Sequence, residues 1–218
     1  LVAMGMAYAM MRLHEMDIIH RDLKPANVLL NNKFLPYICD FGIARPITVG
    51  EGELMTKGCG TPVFMPPEQF SSQVYTKKVD VYSYGMILYE MLTGKHPYEG
   101  CDLGRFVLML SNGQPPAFPR GDQEDQIKGL IMLCINPNPS ERPSFKTIYK
   151  AFSDGKVMFD DTNPKGIKAF LQLVDEEERY LEELYHEPSA RSHSKSTSHS
   201  HSHEKGSDSR SRSHSTSH

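Results

Sequence analysis

Cysteine is scarce in this 218-residue sequence, and the four present, Cys39, Cys59, Cys101 and Cys134, stand far apart. None belongs to a C-x-x-C pair, so neither a zinc ribbon nor a disulfide framework is indicated, and a reducing, intracellular setting is expected. Long hydrophobic runs are missing as well. The apolar opening, LVAMGMAYAMM, meets Arg12 well short of the ~20 residues that a membrane span needs. No basic stretch or small-residue cleavage site accompanies it, so no signal peptide is read. The first residue is Leu1, not an initiator Met, which reads as processing or as a fragment. No single sign of charge dominates, but the net charge of −3 hides a split. Acidic residues gather in DEEERYLEELYHE, from Asp175 to Glu187, and a basic, Ser-rich stretch follows. The length and the 39% hydrophobic content suffice for one good-sized domain with its own core, plus an appendage.

Leu1 to Met16 repeats apolar residues at three and four positions and predicts a helix buried on at least one face. The pattern breaks at DIIHRDLKPAN. Pro25 cannot continue a helix and pushes its predecessor toward extended geometry, so Asp22, Lys24 and Asn27 fall on a loop. VLL and PYIC, separated by Asn31-Asn32-Lys33, predict a small hairpin. From Gly42 to Glu68 there is much Gly, Pro and Thr and little periodicity, as in long functional loops. DVYSYGMILYEMLTG is apolar nearly all round and predicts a central buried helix that ends at Gly94. LGRFVLML, QIKGLIMLCI and FKTIYKAF predict three more helices. Asn163 and Pro164 suit the cap and first position of an acidic helix with an apolar stripe of Ile167, Phe170, Leu171, Val174, Leu181, Leu184 and Tyr185. That helix either docks back on the domain or offers its stripe, over residues 167–185, to a partner. Beyond Pro188 no residue more apolar than Ala190 occurs, so the tail is expected to be disordered.

The loop and hairpin carry the chemistry. HRDLKPAN presents an Asp, a Lys two residues on and an Asn three further, and ICDFG brings a second Asp, Asp40, after the hairpin. An acceptor for a hydroxyl proton, a cation and two hard oxygen ligands are the groups that phosphoryl transfer from ATP with magnesium requires.

These motifs resemble the eukaryotic protein kinase family over roughly the first 150 residues. HRDLKPAN is similar to its catalytic loop, DFG to its magnesium loop, GTPVFMPPE to the end of its activation segment, DVYSYG to its central helix and ERPSF to an Arg-bearing stretch late in the large lobe. The resemblance implies an α+β fold, a mainly α-helical large lobe with small hairpins at the cleft. It implies Asp22 as catalytic base, Lys24 at the γ-phosphate, and Asn27 and Asp40 as magnesium ligands. Arg21 would receive an activation-segment phosphate, carried by Thr56, and Thr61 would contact Asp22 and Lys24. Glu68 and Arg142 would form a buried ion pair, Asp80 would brace the catalytic-loop backbone, and His20 would brace Phe41, ahead of Gly42. Lys24-Pro25 and Gly60-Thr61-Pro62 resemble serine/threonine kinases, with the texture of the tyrosine-kinase-like group. Pro66, Tyr82 and Tyr84 depart from the usual Ala, Trp and Phe, without expected loss of fold.

No G-x-G-x-x-G loop, V-A-I-K-like lysine or partner Glu occurs, so the small lobe that covers ATP is not in this sequence. Residues 1–153 are accordingly expected to be the large lobe, 154–187 an acidic helical extension and 188–218 a disordered tail. The expected function is Mg-ATP-dependent transfer to Ser or Thr hydroxyls of protein substrates in signal transduction, with the chain alone inactive or nearly so. The alternative is a scaffold that keeps the fold without the chemistry. ATP and Mg2+ are the expected cofactors, the cytoplasm or nucleus the expected location, and neither membrane nor nucleic acid an expected partner. Ala26 stands where kinases of basic substrates often carry Glu, so no basic recognition motif is assumed.

Other features take plainer readings. Cys39 reads as an inert, buried small hydrophobe, Tyr75 to Lys78 as a solvated charged loop, HSHSH (199–203) as a stretch open at most to loose zinc or nickel binding, and SRSRS (209–213) as a flexible solubilising tail or a phosphorylated, RS-like element with weak nucleic-acid contact.

Overall fold

The computed structural model describes residues 1–40, 63–71, 76–119 and 125–186. Phe41, Gly42, Thr56, Cys59, Thr61 and the His- and Ser-rich tail lie outside the described residues. The elements are α1 (Val2–Glu15), β1 (Val28–Leu30), β2 (Pro36–Ile38), α2 (Pro67–Ser71), α3 (Lys78–Thr93), α4 (Leu103–Ser111), α5 (Asp125–Cys134), α6 (Phe145–Ser153) and α7 (Pro164–His186), with one-turn 3-10 helices at Pro25–Asn27 and Pro139–Glu141. Among the described residues the fold is mainly helical with one antiparallel hairpin, in which Val28, Leu29 and Leu30 pair with Ile38, Tyr37 and Pro36. No described helix is long and apolar enough to cross a membrane.

Helix α3 is the centre of the core. Every residue from Val79 to Tyr89 is buried, as its all-round apolar sequence requires. It stops where Gly94 adopts φ 63°, a left-handed position that costs glycine little, and the Gly94 amide closes on the carbonyl of Glu90. α5 crosses α3 at Gly85, where a Cβ would stand 2.7 Å from Cys134 Cβ and from Ile135 Cγ2. α1 is tied to α3 by the Tyr84 hydroxyl, which donates to the carbonyl of Ala3 at 2.9 Å. Phe145 at the start of α6 meets Tyr84 and His14 edge-on, with centroids 5.3 and 5.0 Å away. The hairpin lies directly on α1, since a Cβ on Gly5 would stand 2.7 Å from the ring of Pro36. These contacts hold the segment between α1 and β1 against the first turn of α3.

Side-chain caps start α4, α6 and α7: Asp102 accepts the amide of Arg105, Ser144 that of Thr147, and Asn163 those of Lys165 and Gly166. The chain forms two compact units, Leu1–Glu177 and Glu178–His218. In the first, α7 docks back on the domain: Phe170 and Val174 are buried, Phe170 stands edge-on to Tyr8, and the Tyr8 hydroxyl donates to Glu177. In the second, Tyr180, Leu184 and Tyr185 are exposed.

The reading of Tyr75 to Lys78 as a solvated loop is corrected over Lys77 and Lys78; Tyr75 lies outside the described residues. Lys77 donates to the carbonyl of His14 and pairs with Asp17 at 2.6 Å, while Lys78 donates to the carbonyl of Arg142. Both amines satisfy carbonyls at element ends, a use of lysine that charge patterning alone does not reveal.

Candidate active site

The site begins with a carboxylate that never reaches solvent. Asp80, in the first turn of α3, is wholly buried, which is costly for a charge unless hydrogen bonds surround it. Its Oδ1 accepts the backbone amide of Arg21 at 2.8 Å, and its Oδ2 accepts that of His20 at 2.9 Å. His14 Nε2 lies 2.8 Å from the same Oδ2. Two consecutive amides are thereby fixed to the most buried helix of the domain. Arg21 itself has φ 71°, a left-handed conformation unfavourable for a side chain of its size and kept only where surrounding contacts impose it.

Asp22 follows that bend. Its Oδ2 lies 2.7 Å from Lys24 Nζ and accepts from Asn27 Nδ2 at 3.2 Å, and the same amide nitrogen donates to the Asp22 carbonyl at 2.7 Å. The side chains of Asp22 and Lys24 are 38% and 39% exposed, so their pairing is solvent-screened and matters for geometry more than for stability. Asn27 is buried, and with its nitrogen engaged on Asp22 its Oδ1 is the atom left to a cation. Leu23, 1% exposed, anchors the loop in the core between these polar groups.

The hairpin delivers Asp40. The Cys39 amide donates to the Asn27 carbonyl at 3.0 Å, one rung beyond the Val28–Ile38 pair, so Asp40 emerges next to Asn27 although 13 positions separate them. Asp40 is exposed and has φ 58°. Buried His20 fastens the two arms. The Asp22 amide approaches its Nδ1 at 3.4 Å, so Nδ1 is the acceptor and Nε2 donates to the Cys39 carbonyl at 3.0 Å. Cys39, partly buried, contributes a weak thiol donor to the Asn27 carbonyl. Asn27 and Asp40 offer hard oxygens, which suit magnesium. No cluster of three or more His, Cys, Asp or Glu fit to hold a metal occurs among the described residues.

A second polar centre lies behind the loop. Arg142, 1% exposed, meets Glu68 through two parallel contacts, Nη1 to Oε1 at 2.5 Å and Nη2 to Oε2 at 3.0 Å. Its remaining donors reach the carbonyls of Asn136, Lys78 and Pro137, so all five N–H groups have an acceptor. The guanidinium also lies over Tyr82, 5.0 Å from the ring centroid. Burial raises the Tyr82 hydroxyl well above the usual phenol range and pushes Tyr98, bonded to it, up to about 12.

Asp22, Lys24 and Asn27 are thus brought together, with Asp40 beside them, Asp80 and His20 behind and Glu68 paired to Arg142. Phe41, Gly42, Thr56 and Thr61 lie outside the described residues. Two contributors escape sequence reasoning. His14 belongs to the regular pattern of α1, and Gln69, whose Nε2 donates to the carbonyl of Arg21 at 3.1 Å, follows Glu68 with no spacing that marks it. Only the packing of α1, α2 and α3 around the loop identifies them.

Residues 1–152 match the profile described as protein tyrosine and serine/threonine kinase. Over 167 residues the chain is 43% identical to an RGS domain-containing serine/threonine-protein kinase A of Dictyostelium discoideum, an alignment that covers 77% of this chain and 14% of that protein. It is 36% identical over 144 residues to the serine/threonine-protein kinase Nek4 of Mus musculus, covering 66% of this chain and 18% of that protein. The chain therefore spans less than a fifth of the length of either relative.

Proposed function

Since the chain belongs to the protein tyrosine and serine/threonine kinase family, we propose that it is the large-lobe portion of a Mg-ATP-dependent protein serine/threonine kinase, acting on Ser or Thr hydroxyls of protein substrates. The observation that carries this reading is the Asp22 carboxylate, bonded to Lys24 and Asn27 on a backbone clamped by Asp80. Positioning and electrostatics account for nearly all catalysis of phosphoryl transfer, so a rigid acceptor beside a mobile cation is what the chemistry asks for.

Asp22 orients the attacking hydroxyl and accepts its proton. Lys24, now on Asp22, moves onto the transferring oxygens when they arrive, a short swing for a half-exposed amine. Asn27 Oδ1 and the Asp40 carboxylate would hold magnesium. When bound, ATP supplies the phosphoryl group, and the metal neutralises its charge. Leu29 and Tyr37, cross-strand partners and 57% and 58% exposed, form an apolar rung beside these ligands that suits the flat base of a nucleotide or the face of the small lobe. Arg21 receives a phosphate carried by Thr56.

The test is phosphoryl transfer from radiolabelled ATP by a protein that carries this chain joined to a nucleotide-binding small lobe. Asp22→Asn is expected to lower the rate by about 10²–10⁴-fold, the usual contribution of a positioned base. Transfer that survives this substitution would sink the reading and leave the scaffold role in its place.

A further inference from the structure

Gln69 is 9% exposed and sits in α2 immediately after Glu68. Its Nε2 donates to the carbonyl of Arg21 at 3.1 Å, while its Oε1, also buried, has no hydrogen-bond partner among the described residues. Among the described residues the side chain makes one bond, and that bond falls on the peptide joining Arg21 to Asp22. A peptide unit is a rigid plane. Asp80 holds the amide on one side of Arg21, and Gln69 holds the carbonyl on the other. Together they account for how Arg21 keeps φ 71° and for the direction in which the chain leaves toward Asp22.

Gln69 is in turn fixed by its neighbour. Glu68 is locked by both nitrogens of Arg142, whose other donors cap carbonyls around the 3-10 helix and at the start of α3. A continuous chain of contacts thus runs from Arg142 through Glu68 and Gln69 to the Arg21 carbonyl and Asp22.

We propose that Gln69 is a positioning residue for Asp22: it transmits the seating of α2, set by the Glu68–Arg142 pair, to the peptide that aims the Asp22 carboxylate. The kinetic part of this proposal rests on the phosphoryl-transfer reading above; the clamp itself does not.

Gln69→Met keeps the shape and removes the donor. Hydrogen exchange in the 218-residue chain should then show protection of the Asp22 amide reduced about tenfold, the scale of one net hydrogen bond, with the α3 amides of Val81 to Leu88 unchanged as proof of an intact fold. Gln69→Glu should lose the same protection at neutral pH, where the carboxylate cannot donate, and regain it, after correction for intrinsic exchange, once acid restores an O–H. A residue that merely fills space would not respond to that titration. In the protein with both lobes, Gln69→Met should lower kcat by a similar factor and leave KM for ATP unchanged. Asp22 protection equal to the parent's in Gln69→Met overturns the clamp. Because that readout requires no turnover, it decides the clamp even where the parent transfers no phosphate; faster exchange with kcat unchanged overturns the kinetic role alone.

Discussion

Arg142 and Glu68, 74 positions apart, face each other through two nitrogen–oxygen contacts of 2.5 and 3.0 Å, with the Arg side chain fully buried and that of Glu68 17% exposed. Such a pair adds little net stability over a hydrophobic substitute, but loss of one partner strands the other charge out of water. Glu68→Ala should therefore destabilise the domain by about 3–5 kcal/mol, read as a lower urea midpoint. Arg142→Lys should recover only a small part, since an ammonium cannot reproduce the two parallel contacts or serve the three carbonyls.

Asp80→Asn should loosen the loop that carries Asp22. One side-chain oxygen is replaced by an NH2 group, which sets donor against donor at the amide of His20 or Arg21. An unmade buried hydrogen bond costs about 1–3 kcal/mol. The variant should unfold at lower temperature, and the resonances of His20 and Arg21 should broaden or shift while those of α4 stay in place. Unchanged loop resonances would show that Asp80 does not hold this backbone in solution.

Gly85→Ala tests the closest approach of α3 and α5. The added methyl would stand 2.7 Å from both Cys134 Cβ and Ile135 Cγ2, neither of which is the end of a long flexible side chain. Overpacking of this kind costs about 1–3 kcal/mol, outweighing the better helix propensity of alanine. A shifted urea midpoint with unchanged slope is the expected result.

Alkaline pH should weaken the fold through Tyr98. Burial holds its hydroxyl neutral up to about 12, above the ordinary value of 10.0. The folded chain thus keeps a proton that the unfolded chain releases, so this stabilisation is complete below pH 10 and disappears as pH rises to about 12. Tyr82 shifts in the same direction, chiefly by burial. Titration followed by tyrosinate absorbance should show these two groups ionising late and together with unfolding, and Tyr98→Phe should flatten the dependence.

Much of this was legible in the sequence because it is local. The helices other than α2, which begins inside the stretch expected to be irregular, follow from apolar spacing, the end of α3 from Gly94, the start of α7 from Asn163-Pro164, and the hairpin from two short apolar runs around Asn31-Asn32-Lys33. Asp22, Lys24 and Asn27 lie within six residues, so their meeting needs only a local turn; the loop expected there is corrected over Pro25–Asn27, which form one turn of 3-10 helix because proline suits a first helical position. The carbonyl contacts of Lys77 and Lys78 are not legible in the sequence, because a lysine that caps a carbonyl has the same local sequence as one in water.

What the tertiary structure decided is how that loop is held. His14, Gln69 and Asp80 come from three different helices, with no spacing that relates them to Asp22, and they converge because α3 is buried on every side and α1 and α2 pack around its first turn. The identity of the candidate site groups is a property of a short stretch of chain; their direction depends on hydrogen bonds that close over 48 to 66 positions, and such bonds form only once the core has set the distances between helices.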